Sequence, residues 1–186
     1  KEYRRQRQMC IRDSAHPAHV LADVACMLRY TRDDLTKARV GWLGCTNGTL
    51  FSLIEALRYF PFSLQVALPP LEDRPTLETY ARHCGVKVDF VDTPQQAVEG
   101  CNFVYAGCRS GLDDELAQQW KVDDALLSHA DQKARVLLGT SPMQAIEVAS
   151  DILASPASLL LLQSENRLRV HKRLLHWVFL ENERVI

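Results

Sequence analysis

Arg39-Val40-Gly41-Trp42-Leu43-Gly44-Cys45-Thr46-Asn47-Gly48-Thr49-Leu50-Phe51-Ser52-Leu53-Ile54-Glu55-Ala56-Leu57 is the stretch whose reading decides the fold. Val40, Trp42 and Leu43 make a short apolar strand that stops at Gly44. Leu50, Leu53, Ile54 and Leu57 then recur at i, i+3, i+4 and i+7, the spacing of a helix that buries one face. Between them lies a turn of residues that tolerate positive φ or bond their own backbone. A strand feeding a helix through such a turn aims the helix N-terminus, with its unpaired N–H groups and positive dipole end, into a crevice. Phosphates and carboxylates bind at such ends, although many α/β turns of this kind bind nothing.

Outward from this stretch the chain alternates helix and strand. Pro17 suits the first position of a helix whose buried face is Val20, Val24, Met27 and Leu28, ending near Tyr30. After the central unit comes a strand at Leu64–Leu68, stopped by Pro69-Pro70. A helix through Leu77, Tyr80, Ala81 and Cys84 closes at Gly85. Val86–Val91 alternates as a strand, and Thr93-Pro94 opens a helix that closes at Gly100. Strands follow at Phe103-Val104-Tyr105 and Val136-Leu137-Leu138, with helices over Asp113–Trp120 and Asp123–Ala130 between them. The expected fold is therefore doubly wound α/β, a parallel, Rossmann-like sheet of about five strands with helices on both faces. Ligands in such folds sit beyond the carboxyl ends of the strands. Those ends carry Gly44-Cys45-Thr46-Asn47, Ala106-Gly107-Cys108-Arg109-Ser110 and Gly139-Thr140-Ser141-Pro142. The last helix, from about Glu165 to Leu180, carries two apolar stripes, Val170, Leu174 and Trp177 and then Leu168, Leu175 and Val178. That exceeds one covered face, so the helix is either deeply buried or packed on something outside this chain.

Composition narrows the function classes. The 186 residues suffice for one well-buried domain, and 47% hydrophobic with 24% charged residues is ordinary for a globular protein. A formal net charge of −1 argues against nucleic-acid binding through bulk positive charge, and no apolar run is long enough to span a membrane. The six cysteines include no C-x-x-C pair, which excludes a zinc pattern and reads as reduced thiols in a cytoplasmic protein. His16 and His19 form an H-x-x-H without further ligand spacing, so no metal is expected. Residues 1–13 stand apart: Lys1, Arg4, Arg5, Arg7 and Arg12 against Glu2 and Asp13, with no apolar period. They read as a basic arm, disordered or not native, with a nucleic-acid contact as the alternative.

Several positions then add up to a resemblance. His16-Pro17-Ala18-His19-Val20-Leu21-Ala22-Asp23 resembles the His-Pro-x-Gln-x-Leu-Ala-Asp motif of the aspartate/ornithine carbamoyltransferases. Gly44-Cys45-Thr46-Asn47-Gly48 with Ser52-Leu53 falls where the family has Gly-Asp-Gly-Asn-Asn and Ser-Leu, and Gly139-Thr140-Ser141-Pro142 where ornithine enzymes carry His-Cys-Leu-Pro. Ser164-Glu165-Asn166-Arg167-Leu168 is similar to their Ala-Glu-Asn-Arg segment. The resemblance implies that residues 14–186 are the second, amino-acid-binding domain, with the amino-terminal carbamoyl-phosphate domain absent. It also implies that the last helix crosses back to that first domain, and that the intact enzyme is a homotrimer without cofactor. Its substrates would be carbamoyl phosphate and an amino acid, in amino-acid and arginine metabolism.

By the same resemblance His16, His19 and Arg167 would bind carbamoyl phosphate, with His16 at the carbonyl and His19 in place of the family glutamine. Thr140 takes the place of a cysteine near the attacking amine, and His16 and Thr140 are the catalytic candidates. Asn47, Ser52 and Ser110 would face the amino acid. The aspartate that holds the substrate ammonium falls on or near Gly107, and the losses at Cys45 and Gly48 make ornithine binding in the usual pose improbable. Removing such a carboxylate costs about 1.5–3 kcal/mol. The expected function is carbamoyl transfer of the ornithine type with this chain inactive alone; the alternative is a catalytically dead binding or regulatory subunit. A dinucleotide-binding domain is weaker, since Gly44-x-x-x-Gly48 is not G-x-G-x-x-G. A thiol pair, Cys45 with Cys108, is weaker still.

Overall fold

The computed structural model describes residues 15–70, 72–107, 113–139 and 148–181. Its first helix, α1 (Pro17–Thr31), has proline at the first position and ends at Arg32 in the left-handed region, φ 54°. After a 3₁₀ turn at Leu35–Lys37, β1 (Arg39–Leu43) leads through the Gly44–Asn47 turn into α2 (Gly48–Ala56). The series continues with β2 (Ser63–Ala67), α3 (Arg74–Cys84), β3 (Asp89–Val91), α4 (Pro94–Val98) and β4 (Phe103–Ala106). Then come α5 (Asp114–Gln119), α6 (Asp124–Leu127), β5 (Arg135–Leu138), α7 (Ser150–Ala154) and α8 (Leu160–His176), which runs into a π-helical turn, Trp177–Glu181.

Among the described residues the strands form one five-stranded parallel sheet in the order β3-β2-β1-β4-β5. Register aligns Leu43 with Ala67 and Ala106, and Ala106 with Leu138, so the carboxyl ends of β1, β2, β4 and β5 finish level. Because side chains alternate along a strand, the sheet is apolar on both faces. Val40, Trp42, Leu64, Val66, Phe103, Tyr105 and Leu137 pack with α1, α2 and α3. Leu43, Ala67, Val104, Ala106, Val136 and Leu138 pack on the other side with Ala97, Val98, Trp120, Leu126 and Ile152. The doubly wound architecture is therefore present.

Three elements differ from their sequence reading. β3 pairs with β2 only from Asp89, because the Val86 amide is taken by the Ala81 carbonyl in the cap that ends α3 at Gly85, φ 69°. The short helix α7 carries no side-chain cap, which left it unannounced. The last helix starts at Leu160 rather than about Glu165, since its N-cap is Leu159, with no side-chain cap bond, and its first turn is apolar. Arg167 thus lies in the helix interior, not at its start.

Among the described residues the outer edge of β5 is closed without a sixth strand. Val136 exchanges backbone bonds with Ala157 and Leu159. The Gln163 side chain takes the place of a neighbouring strand at Leu138: its Oε1 accepts from the Leu138 amide at 3.0 Å and its Nε2 donates to the Leu138 carbonyl at 3.2 Å. Edge groups left open invite pairing with other chains, and this one is sealed by a side chain from α8.

α8 itself is divided. Gln163 and Asn166 are buried against α1, with Asn166 Nδ2 near the Ala22 carbonyl and Cys26 Sγ. Beyond Arg167, however, Leu168 and Leu175 are each 57% exposed and Trp177 49% exposed. Leu174, Phe179 and Leu180 are exposed as well. Within the described residues the leucines and the tryptophan of the stripes are exposed, while Val170 and Val178 are partly buried.

Candidate functional site

The site is built where α1, α2 and α8 meet the carboxyl ends of β1, β4 and β5. Asn47 caps α2: its Oδ1 accepts from the Thr49 and Leu50 amides at 2.9 and 3.1 Å. The turn before it is held by Glu72, whose Oε2 accepts from the Thr46 amide at 2.8 Å. The Thr46 hydroxyl is buried with no hydrogen-bond partner among the described residues. Thr49 Oγ1 donates to the Gly139 carbonyl at 3.0 Å, tying the start of α2 to the exit of β5.

Gly107 and Gly139 are forced by Trp42, whose indole lies beneath both. A Cβ at Gly107 would fall 2.6 Å from the Leu43 carbonyl oxygen and 2.7 Å from the Trp42 ring, and one at Gly139 would fall 2.7 Å from the same ring. Position 107 therefore cannot carry a side chain in this geometry.

His16 sits at the N-cap of α1, and its backbone amide donates to Ser52 Oγ at 2.8 Å. Its ring lies over Gly48, where a Cβ would come within 3.0 Å of it; the missing side chain makes room for the imidazole. His19, one turn on, stacks on His16 with centroids 5.3 Å apart, and His171 of α8 stands edge-on to His19 at 6.2 Å. The His171 ring contacts the Arg167 carbonyl through Nδ1 at 2.6 Å. A carbonyl only accepts, so this nitrogen carries the proton.

Arg167, one turn before His171 on α8, reaches the carboxyl end of β5. Its Nη2 donates to the Leu138 carbonyl at 3.5 Å, its Nε is buried without a partner, and no carboxylate is within ion-pair range among the described residues. The cationic surroundings act on His19. Burial first, then Arg167, His16 and His171, push its pKa down to about 4, so the ring is neutral at physiological pH. A guanidinium with the neutral His19 ring beside it suits a small anion with more than one oxygen.

Beneath Arg167 is a wholly buried carboxylate, Asp23. Tyr105 donates its hydroxyl to Asp23 Oδ2 at 2.8 Å, and Gln163 Nε2 donates to Oδ1 at 2.9 Å. Burial raises the Asp23 pKa to about 6, against the lowering by Gln163, Arg167 and Tyr105. On α8, Gln163, Arg167 and His171 follow at i, i+4 and i+8, and they face His16, His19 and Asp23 of the first-helix segment. The sequence reading assigned no role to Gln163, His171 or Asp23; an i, i+4, i+8 polar row on one helix face was the available signal.

The structure thus stacks His16 on His19 and brings Arg167 within electrostatic reach of His19, with Ser52 and Asn47 on the α2 side but engaged by backbone amides. Ser110, Thr140 and Cys108 lie outside the described residues. Among the described residues no group of three or more His, Cys, Asp or Glu side chains could hold a metal ion. A groove of about 600 Å³ between α3 and β3 lies away from these groups, and Arg74 on its wall is already engaged by Glu78 and Asp92.

Comparison with known proteins decides the family. The model for the Asp/Orn binding domain of aspartate/ornithine carbamoyltransferases matches residues 36–178. This chain belongs to that family. A carbamoyltransferase relative, the ornithine carbamoyltransferase of Nitratidesulfovibrio vulgaris, is 33% identical over 178 residues, covering 91% of this chain and 59% of its own length. Among solved carbamoyltransferases, that of Thermus thermophilus superposes with a TM-score of 0.75 at 26% identity, covering 88% of this chain and 55% of its own. The mitochondrial ornithine carbamoyltransferase of Coccidioides immitis shares the fold, with a TM-score of 0.78 at 20% identity over 94% of this chain and 59% of its own. The chain therefore spans under two thirds of the carbamoyltransferases it matches. No described helix is long and apolar enough to cross a membrane.

Proposed function

We propose that the chain is the amino-acid-binding half of an ornithine-type carbamoyltransferase, with residues 14–186 as the domain and residues 1–13 as a basic arm outside it. The complementary carbamoyl-phosphate domain packs on the open half of α8, and the assembled enzyme is a cytoplasmic homotrimer. One observation carries this reading: Arg167, without a carboxylate in ion-pair range among the described residues, converges with His16 and His19 at the carboxyl end of the sheet.

In the reaction an unprotonated substrate amine attacks the carbonyl carbon of carbamoyl phosphate. A C–N bond forms, the carbonyl electron pair moves to oxygen, and the amine loses a proton. Collapse of the tetrahedral species breaks the C–O bond to phosphate, which departs with the proton given up by the amine. The developing oxyanion needs a donor fixed in advance. The His16 ring fills that role, while Arg167 and His19 hold the anion in line. Thr140 and Ser110 are assigned by resemblance alone.

A second reading, a non-catalytic binding or regulatory subunit, draws on the amino-acid side. Asn47 Oδ1 is spent as a cap, Ser52 accepts the His16 amide, and Gly107 cannot hold an acidic side chain. The test is citrulline formation from carbamoyl phosphate and ornithine. It compares the chain alone with the chain fused to the part of the Nitratidesulfovibrio vulgaris relative that it does not span. The proposal expects product only from the fusion, falling at least a hundredfold with Arg167→Gln. No product from a folded fusion supports the second reading; product from the chain alone contradicts both.

A further inference from the structure

The geometry points to Asp23 as a positioning residue for Arg167: its ionised carboxylate, working through Gln163 and the Leu138 carbonyl, fixes where the guanidinium stands in the anion crevice. This inference rests on the proposal that the crevice binds an anion.

The argument begins with what an ionised carboxylate can do. It only accepts hydrogen bonds, so the two donors aimed at it have no alternative orientation. Tyr105 must donate to Oδ2, and Gln163 must turn its amino group to Oδ1. That fixes the Gln163 amide the other way round at Leu138, with its oxygen on the Leu138 amide and its nitrogen shared with the Leu138 carbonyl. Arg167 donates to the same carbonyl. The chain of contacts is thus Asp23, Gln163, Leu138 and Arg167, and its members come from α1, β5 and α8. Around Asp23 the titratable and charged neighbours are Tyr105 on β4, Cys26 on its own helix and Arg167 on α8. Arg167 is the sole cation acting on Asp23 among them, held by charge across a gap rather than by direct contact.

A purely structural carboxylate is ill placed here. Burial without an ion pair destabilises the charged form, and a same-sized amide would keep both hydrogen bonds. An asparagine could accept from Gln163 with its oxygen and donate from its nitrogen to the Tyr105 hydroxyl oxygen. What it would lose is the acceptor-only character that leaves the Gln163 amide one orientation, together with the negative charge that acts on Arg167.

The experiment uses the full chain in solution. The ¹³C carboxyl signal of Asp23 and the ¹⁵Nε–¹H signal of Arg167 are followed by NMR from pH 4.5 to 8, in the native chain and in Asp23→Asn. Sulfate, a dianion throughout this range, is then titrated at pH 7.5 into both and into Arg167→Gln. The inference expects the two native signals to shift with one midpoint near 6, and the Arg167 step to vanish in Asp23→Asn. It also expects Asp23→Asn to bind sulfate about fivefold more weakly than the native chain. Independent midpoints, a step that survives Asp23→Asn, or unchanged or tighter sulfate binding would overturn it. Equal sulfate affinity in Arg167→Gln and the native chain defeats the anion reading instead; the Arg167 signal then decides the coupling to Asp23 by itself.

Discussion

The two halves of α8 contrast sharply although they share one helix. From Leu160 to Arg167 the helix is written into this chain, with Gln163 closing the β5 edge and Asn166 bonded to α1. From Leu168 onward it presents leucines and a tryptophan to solvent. Side chains of this size stabilise a fold by roughly 1.5–3 kcal/mol each when covered, and an uncovered group of them marks an interaction surface. The difference teaches that the first half is determined by contacts among the described residues, while the leucines and tryptophan of the second would, on the proposal above, be covered by the complementary domain. The proposed anion site, with Arg167, sits at the junction.

The strongest way to break this contrast is Gln163→Leu. It leaves the Leu138 amide and one Asp23 oxygen without partners, each costing about 1–3 kcal/mol, and the Leu138 carbonyl with Arg167 alone. Urea unfolding should show a loss of about 3 kcal/mol or more. Leu175→Ser in the open half should stay within about 0.5 kcal/mol in the isolated chain. Equal losses at the two sites would erase the contrast.

A smaller effect is expected beside the junction. Gly107→Ala forces a Cβ against the Leu43 carbonyl and the Trp42 ring, a misfit of about 1–3 kcal/mol by the same measurement. No change would mean that Trp42 yields more readily than its packing implies.

Smaller still in the native chain is the pH response, because two groups oppose each other. Asp23 has a folded pKa raised to about 6, so its folded form holds the proton more tightly, and it makes stability fall as pH rises from about 4 to 6. His19 has a folded pKa lowered to about 4, so it makes stability rise across the interval from about 4 to its ordinary 6.5. Asp23→Asn should leave only the rise, and His19→Gln only the fall, in melting temperatures taken from pH 4.5 to 7. Slopes unchanged by either substitution would remove both residues from the proton balance.

How much of the molecule is legible in its sequence depends on the range of the interaction. The strand, turn and helix from Arg39 to Leu57 are readable because both periods and the breaking glycines lie within one short window. The first helix is readable from Pro17 and its apolar face. The start of α8 is not, since Leu159 offers no capping side chain. The Asp23–Gln163 bond joins residues 140 positions apart, and no local pattern announces it. Within the site, motif resemblance finds His16, His19 and Arg167, whereas His171 and Gln163 need the correct helix start. Gly107 can be read as a lost aspartate, but only the position of Trp42 explains why no side chain fits there.

The most direct test of the central claim is hydrogen exchange along α8. It compares the chain alone with the chain fused to the part of the Nitratidesulfovibrio vulgaris relative that it does not span. Leu160–Arg167 should be protected in both, while Leu168–His176 should exchange quickly in the isolated chain and at least tenfold more slowly in the fusion. Equal protection of the second half in the isolated chain, or none in the fusion, would contradict the account.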